Sequence, residues 1–232
     1  MCLRGSQVVV VGGSSGMGLA TARAALAAGA AVTIAGRSAA RLSQAKDSLG
    51  ECRTVVADVT NEGDMQRLFG ELDRVDHVFV SAGRAAAGEL LGTELGTLRF
   101  DVDQRFWGLI SVVRQAVPKM KGGSITCMSG LFGSRPAAGA VVTSAMNAAV
   151  EALAKGLALE LAPVRVNAVA PGLIDTPMLA DYREPGSEWA SATLPVGRIG
   201  TPDDVAQAVL LLMTNGFMTG EVLHVDGGGR YV

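Results

Sequence analysis

Unbroken apolar runs and longer stretches with helical spacing take turns along this chain. Gln7 is followed by four consecutive valines, Val8 to Val11. They are β-branched, with no polar position among them, and read as a strand buried on both faces, as in a parallel sheet. Further runs predict strands at Ala31–Ala35, Arg53–Ala57, His77–Val80, Gly123–Met128, Arg165–Ala170 and Val222–Val225. The segments between them predict helices over Leu19–Ala28, Ser38–Leu49, Asp64–Leu72, Leu98–Met120 and Thr143–Leu161. A last helix opens at Thr201-Pro202-Asp203-Asp204, with Thr201 as N-cap and Pro202 in the first turn. In the long fourth helix Phe106, Leu109, Val113 and Val117 share one face, as core or subunit contacts. Seven strands alternating with helices predict an α/β fold, a doubly wound, mainly parallel sheet with helices on both faces. At 232 residues the chain is expected to form a single domain over 1–232. The polar segment Leu179–Leu194, with Asp181, Tyr182, Glu184, Pro185 and Trp189, reads either as a mobile lid over a pocket or as an ordinary surface loop.

Composition narrows the partners. Apolar residues make up 49% but aromatic ones only 4%, so the core must be built from Ala, Val and Leu. A net charge of −2 and the lack of any basic run exclude a nucleic-acid footprint. The uncharged apolar stretch Ala24 to Gly36 is too short to span a bilayer, so no membrane partner is expected. The first strand begins about six residues in, which leaves no room for a signal peptide. Cys2, Cys52 and Cys127 are odd in number and widely spaced, which fits a reducing cytoplasm. His77 and His224 lie far apart in sequence, and no metal site is expected.

The chemistry begins where the first strand ends. In Gly12-Gly13-Ser14-Ser15-Gly16-Met17-Gly18, glycines let the backbone approach a pyrophosphate, and N–H groups at the following helix start point at its charge. The same spacing also serves an ordinary tight turn. The second strand ends in Gly36-Arg37-Ser38, where dinucleotide folds that favour NAD carry an acid for the ribose hydroxyls. No acid is present. Arg37 instead suits the 2′-phosphate of NADP through a charge-assisted fork, with Ser38 adding a hydroxyl. The alternative is a solvated arginine opening the next helix.

The turn resembles the glycine motif of the short-chain dehydrogenase/reductase family, Thr-Gly-x-x-x-Gly-x-Gly. Gly12, Gly16 and Gly18 match, and Val11 stands at the threonine. The resemblance extends over nearly the whole chain and implies a Rossmann-type fold with a nicotinamide cofactor. It places Asp58 and Val59 against the adenine, and Ser81, Ala82 and Gly83 beside the nicotinamide ribose. Val80 and Ser81 replace both asparagines of the family's Asn-Asn-Ala-Gly. Pro171 and Gly172 match the family's Pro-Gly turn, with Ile174 and Thr176 as contacts to the carboxamide and phosphate. The long helices Leu98–Met120 and Thr143–Leu161 resemble the pair through which members form homodimers and homotetramers.

In the family a tyrosine passes the proton, a lysine four residues later lowers its pKa, a serine positions substrate and an asparagine holds a water relay. The overlay puts Thr143 at the tyrosine, Asn147 at the lysine, Gly130 at the serine (with Ser129 just before it) and Arg105 at the asparagine. Arg105 either pairs with Asp101 one turn earlier or serves the site. A threonine hydroxyl cannot replace a phenol as general acid, and losing a positioned acid costs about 10²–10⁴ in rate. Three functions remain open. One is an NADP(H)-dependent oxidoreductase acting on a small-molecule acceptor that needs no strong acid, such as an iminium, a quinone or an activated enone. There Arg105 would stabilise developing charge, and Thr143 and Asn147 would orient the substrate. The others are a non-redox enzyme on the same scaffold and a non-catalytic NADP(H)-binding protein.

Overall fold

A computed structural model of the chain describes residues 2–83, 88–177 and 193–232. In chain order the first elements are β1 (Gln7–Val11), α1 (Gly16–Ala27), β2 (Ala31–Gly36), α2 (Ala39–Leu49), β3 (Arg53–Val56), α3 (Glu62–Gly70) and β4 (His77–Val80). Then come α4 (Leu95–Val102), α5 (Gly108–Ala116), β5 (Ser124–Met128), α6 (Val141–Glu160), β6 (Arg165–Pro171), α7 (Pro202–Thr214) and β7 (Val222–Val225). The strands form one seven-stranded sheet in the order β3-β2-β1-β4-β5-β6-β7, and every adjacent pair is parallel.

Parallel neighbours need a crossover, and the helices supply it on both faces. Successive valines of β1 therefore go to opposite sides. Val8 and Val10 join Ile34 and Phe79 under α1, α2 and α7. Val9 and Val11 join Val78 and Ile125 under α3, α5 and α6. Helix α1 buries only Gly18, Ala20, Thr21, Ala22 and Ala25, small residues that let it lie close to the sheet and along α7. Strand β1 pairs with β2 on one side and β4 on the other. The strand order thus reverses there, and a crevice opens beyond the carboxyl ends of β1 and β4.

The long helix expected over Leu98–Met120 is a composite. It starts earlier as α4, widens into a π-helical turn at Asp103–Trp107, resumes as α5 and closes in a 3₁₀ turn at Val117–Lys119. Pro118, which has no N–H to give, accounts for the tight end. Gly108 follows the wide turn because the backbone there lies on Val59, whose Cγ2 would stand 2.7 Å from an added Cβ. Leu109 and Val113 are buried, with Phe106 and Val117 packed against the same core, so this face is core. Helix α1 starts within the glycine turn rather than at Leu19, and the strand expected to end at Ala57 ends at Val56. Tyr182 and all but the last two residues of the polar segment Leu179–Leu194 lie outside the described residues. Among the described residues, no helix is long and apolar enough to cross a membrane.

Candidate active site

The glycine turn is built around close backbone approaches. Gly12 has a φ of +91° and donates its N–H to Ala35 O at 2.8 Å. A Cβ there would stand 2.7 Å from Ala82 N, and one at Gly18 would stand 2.2 Å from Gly12 O. Ser81 closes the turn from β4, its Oγ donating to Gly12 O at 3.2 Å and to Val11 O at 3.3 Å. Gly16, with a φ of +52°, begins α1 and faces Thr176, whose Cγ2 would be 3.4 Å from a Cβ. The first N–H groups of a helix have no intrahelical acceptor. At α1 the N-cap Ser15 offers no side-chain cap, and no acid occupies the first turn. The helix start at Gly16, Met17 and Gly18 therefore fits an anion such as a pyrophosphate.

The flanking candidates follow the carboxyl ends of the neighbouring strands. Arg37 is exposed after β2. Ser38 caps α2, its Oγ accepting from Arg41 N at 3.3 Å, and Ser14 Oγ lies against Gly36. After β3, the Asp58 carboxylate is turned onto Thr60, accepting from its N–H at 2.9 Å and its hydroxyl at 2.8 Å. Val59 is buried. Pro171 ends β6, and Gly172 lies so close to Asp226 that a Cβ would meet its Cα at 2.7 Å. Ile174 is buried and bridges to Gly200.

A second group converges between the π-helical turn, the end of β5 and α6. The stem of Arg105 lies over Gly83, where an added Cβ would be 2.4 Å from its Cγ. Its Nη2 donates to Asn147 Oδ1 at 2.9 Å and to Ser129 O at 3.2 Å. Burial pulls the guanidinium pKa down to about 10, with the Asp101 carboxylate pulling the other way, and it stays charged at neutral pH. Of the two roles expected for Arg105, a partner of Asp101 or a member of the site, its hydrogen bonds go to the site. Thr143 and Asn147 are both buried and share a face of α6 at one-turn spacing. A Cβ on Gly130 would stand 3.0 Å from Asn147 Nδ2. Among the described residues, no group of three or more His, Cys, Asp or Glu side chains is placed to hold a metal.

A family model described as "Enoyl-(Acyl carrier protein) reductase" matches residues 11–229. The chain belongs to the short-chain dehydrogenase/reductase family. It is 36% identical to galactitol 2-dehydrogenase (L-tagatose-forming) of Cereibacter sphaeroides, over 97% of this chain and 95% of that protein. It is 32% identical to carbonyl reductase family member 4 of Xenopus laevis, over 94% and 95% respectively. A solved small-chain dehydrogenase in complex with NADPH superposes with a TM-score of 0.86 at 34% identity, covering 98% of this chain and all of that one. Short-chain dehydrogenases are oxidoreductases that act on small molecules and bind nicotinamide cofactors.

In this short-chain dehydrogenase, Glu151 is a member of the cluster that sequence reasoning missed. Its Oε1 accepts from Ser129 Oγ at 2.7 Å, and the same hydroxyl reaches Asn147 O at 3.3 Å. The residue also packs close to Gly133, where a Cβ would stand 2.5 Å from Oε1. The signal was present, since Glu151 lies one helical turn beyond Asn147 on the same face. Ser129 is buried and points at α6, so it locks the β5 end to the helix.

Proposed function

We propose that this chain is an NADP(H)-dependent oxidoreductase that moves a hydride to or from a small organic substrate without a tyrosine acid. The observation that carries the reading is the contact of Arg105 with Asn147 and Ser129. It puts a fixed cation and an amide where the family overlay expects an amide and a lysine, with Thr143 in place of the phenol. When bound, the reduced nicotinamide supplies the hydride at its C4. The residues of the chain do the rest: they bind, orient and stabilise charge.

In this reading Gly12, Ser14, Ser15, Gly16, Met17 and Gly18 cradle the pyrophosphate, while Asp58 and Val59 flank the adenine through their backbone. Ser81, Ala82 and Gly83 border the nicotinamide ribose, and Pro171, Gly172, Ile174 and Thr176 border the carboxamide side. Arg37 and Ser38 recognise the 2′-phosphate. The solved relative with NADPH supports that preference, as does the exposure of Arg37 after β2. The whole chain acts as one nucleotide-binding domain. We further propose a cytoplasmic homodimer or homotetramer. Exposed Leu95, Phe100 and Trp107 on the α4–α5 face and Val141 at the start of α6 support association, and three unpaired cysteines support the compartment.

The test follows nicotinamide absorbance with aldehydes, ketones, quinones, enones and cyclic imines as acceptors. Oxidation of NADPH by any of them supports the reading. Tight NADPH binding with no acceptor turned over would instead make the chain a nucleotide-binding protein. Conversion of a compound with no absorbance change would make it a non-redox enzyme. Arg37→Ala should cut the preference for NADPH over NADH by about tenfold or more, the loss expected for a charge-assisted phosphate contact. An unchanged preference rejects the role given to Arg37.

A further inference from the structure

Hydride transfer alone leaves the acceptor's class open, and the surroundings of Arg105 narrow it. Its two hydrogen-bond acceptors among the described residues, Asn147 Oδ1 and Ser129 O, carry no formal charge. The Glu151 carboxylate is turned to Ser129 Oγ. The aliphatic stem of Arg105 rests on Gly83, which holds the side chain at the carboxyl ends of β4 and β5, where the crevice opens. The buried Asp101 carboxylate acts on this cation through space, but the hydrogen bonds described for the guanidinium go to neutral oxygens, and a cation so bonded favours a negative charge beside it. It does not hand over a proton, because a guanidinium keeps its own. Such a site rewards an acceptor whose reduced form is an oxyanion stable enough to leave or to wait for water.

We infer that Arg105 selects conjugated carbonyl acceptors, enones or quinones, and holds the oxygen on which their negative charge lands. This rests on the hydride-transfer reading above. The conjugated carbon of the acceptor gains the hydride and forms a new C–H bond. Its C=C π pair shifts toward the carbonyl carbon, and the carbonyl π pair ends on oxygen as an enolate. The nicotinamide is left oxidised, and water later provides the proton. A phenol or enol has a pKa near that of tyrosine, about 10, so its anion persists beside a cation. A simple ketone gives a far more basic alkoxide and suffers the missing acid, roughly 10²–10⁴ in rate. A cationic imine meets a like charge, a penalty on the order of 10²–10³-fold at contact distance.

Two measurements test it. The first uses no turnover: p-nitrophenol is titrated spectroscopically with the protein saturated with NADP⁺. The bound phenol's midpoint should fall by about one pH unit or more, as beside an opposite charge. The shift should vanish in Arg105→Gln and persist largely in Arg105→Lys, with NADP⁺ binding retained in both as the check on folding. No binding, no shift, or a shift that survives Arg105→Gln overturns the inference. The second compares kcat/KM for menadione, cyclohexenone, cyclohexanone and a cyclic imine. A preference of about 10²-fold or more for the first two supports it. Faster turnover of the ketone or the imine overturns the choice of acceptor while hydride transfer stands. Turnover of none, with NADPH bound, removes both.

Discussion

Replacing Asn147→Lys, which brings in the residue that the proposed family overlay expects at that position, should damage this protein. Asn147 is buried, and its Oδ1 lies 2.9 Å from the Arg105 guanidinium. The substitution removes a hydrogen bond to a charged group, which contributes about 1.5–3 kcal/mol. It also sets an ammonium near the guanidinium, and at 4 Å with an effective dielectric constant of 20 that repulsion is about 4 kcal/mol. Relief by deprotonating the lysine is no cheaper, because holding it neutral at pH 7 costs about 4–5 kcal/mol. With some outward swing of the longer chain, a net loss of about 3–5 kcal/mol is expected, or roughly 10 °C in Tm for a chain of this size. The second change Arg105→Asn should return at least about 2 kcal/mol, since contacting residues couple strongly. Urea denaturation of the two single variants and the double variant closes the cycle. A loss below about 1 kcal/mol for Asn147→Lys, or additive single effects, would refute the charge argument. The same logic governs attempts to rebuild the family's proton donor. Thr143→Tyr with Asn147→Lys should stay inactive on ketones until Arg105 is changed as well.

Other consequences are independent of the Arg105 cluster. His77, with its Nδ1 2.9 Å from Ser124 Oγ, has its pKa lowered to about 4, by burial first and by the charge of Arg165 second, while Asp76 pulls the other way. Below about pH 6.5 the unfolded chain takes up a proton that the folded chain refuses, so stability falls toward pH 4, by about 3 kcal/mol in full. His77→Gln should flatten that dependence in urea titrations run near pH 7.5 and near pH 5; equal slopes would reject it. Gly18→Ala drives a methyl group to 2.2 Å from Gly12 O and should cost about 1–3 kcal/mol and weaken NADPH binding, read by melting and by fluorescence titration. Thr201→Ala removes an N-cap whose Oγ1 accepts from Asp204 N at 3.3 Å. It should cost about 1 kcal/mol in denaturant unfolding, with Thr201→Ser keeping most of it.

The glycine-turn half of this protein is legible because its physics is local. Four valines, a glycine turn and an alanine-rich helix are contiguous, so strand, close approach and helix N-terminus follow from neighbours along the chain. The sheet follows too, since seven buried runs separated by helices leave few arrangements. Local patterning misplaced only the edges, such as α1 starting inside the glycine turn, and it missed the π-helical turn. The expected helix also ran through Pro118, whose missing N–H ends the α-helix in a tighter turn.

The other half was decided by tertiary contact. Arg105 stands 24 residues from Ser129 and 42 from Asn147, and in sequence its nearest apparent partner was Asp101, one turn away. The fold brings the end of β5 and a face of α6 under the guanidinium, so its hydrogen bonds go to Asn147 and Ser129 while the Asp101 carboxylate acts on it as a nearby charge. Spacing along a chain fixes which side chains share an element's face. Which faces meet depends on how the sheet stacks its crossovers, and no stretch of sequence shorter than the domain contains that information.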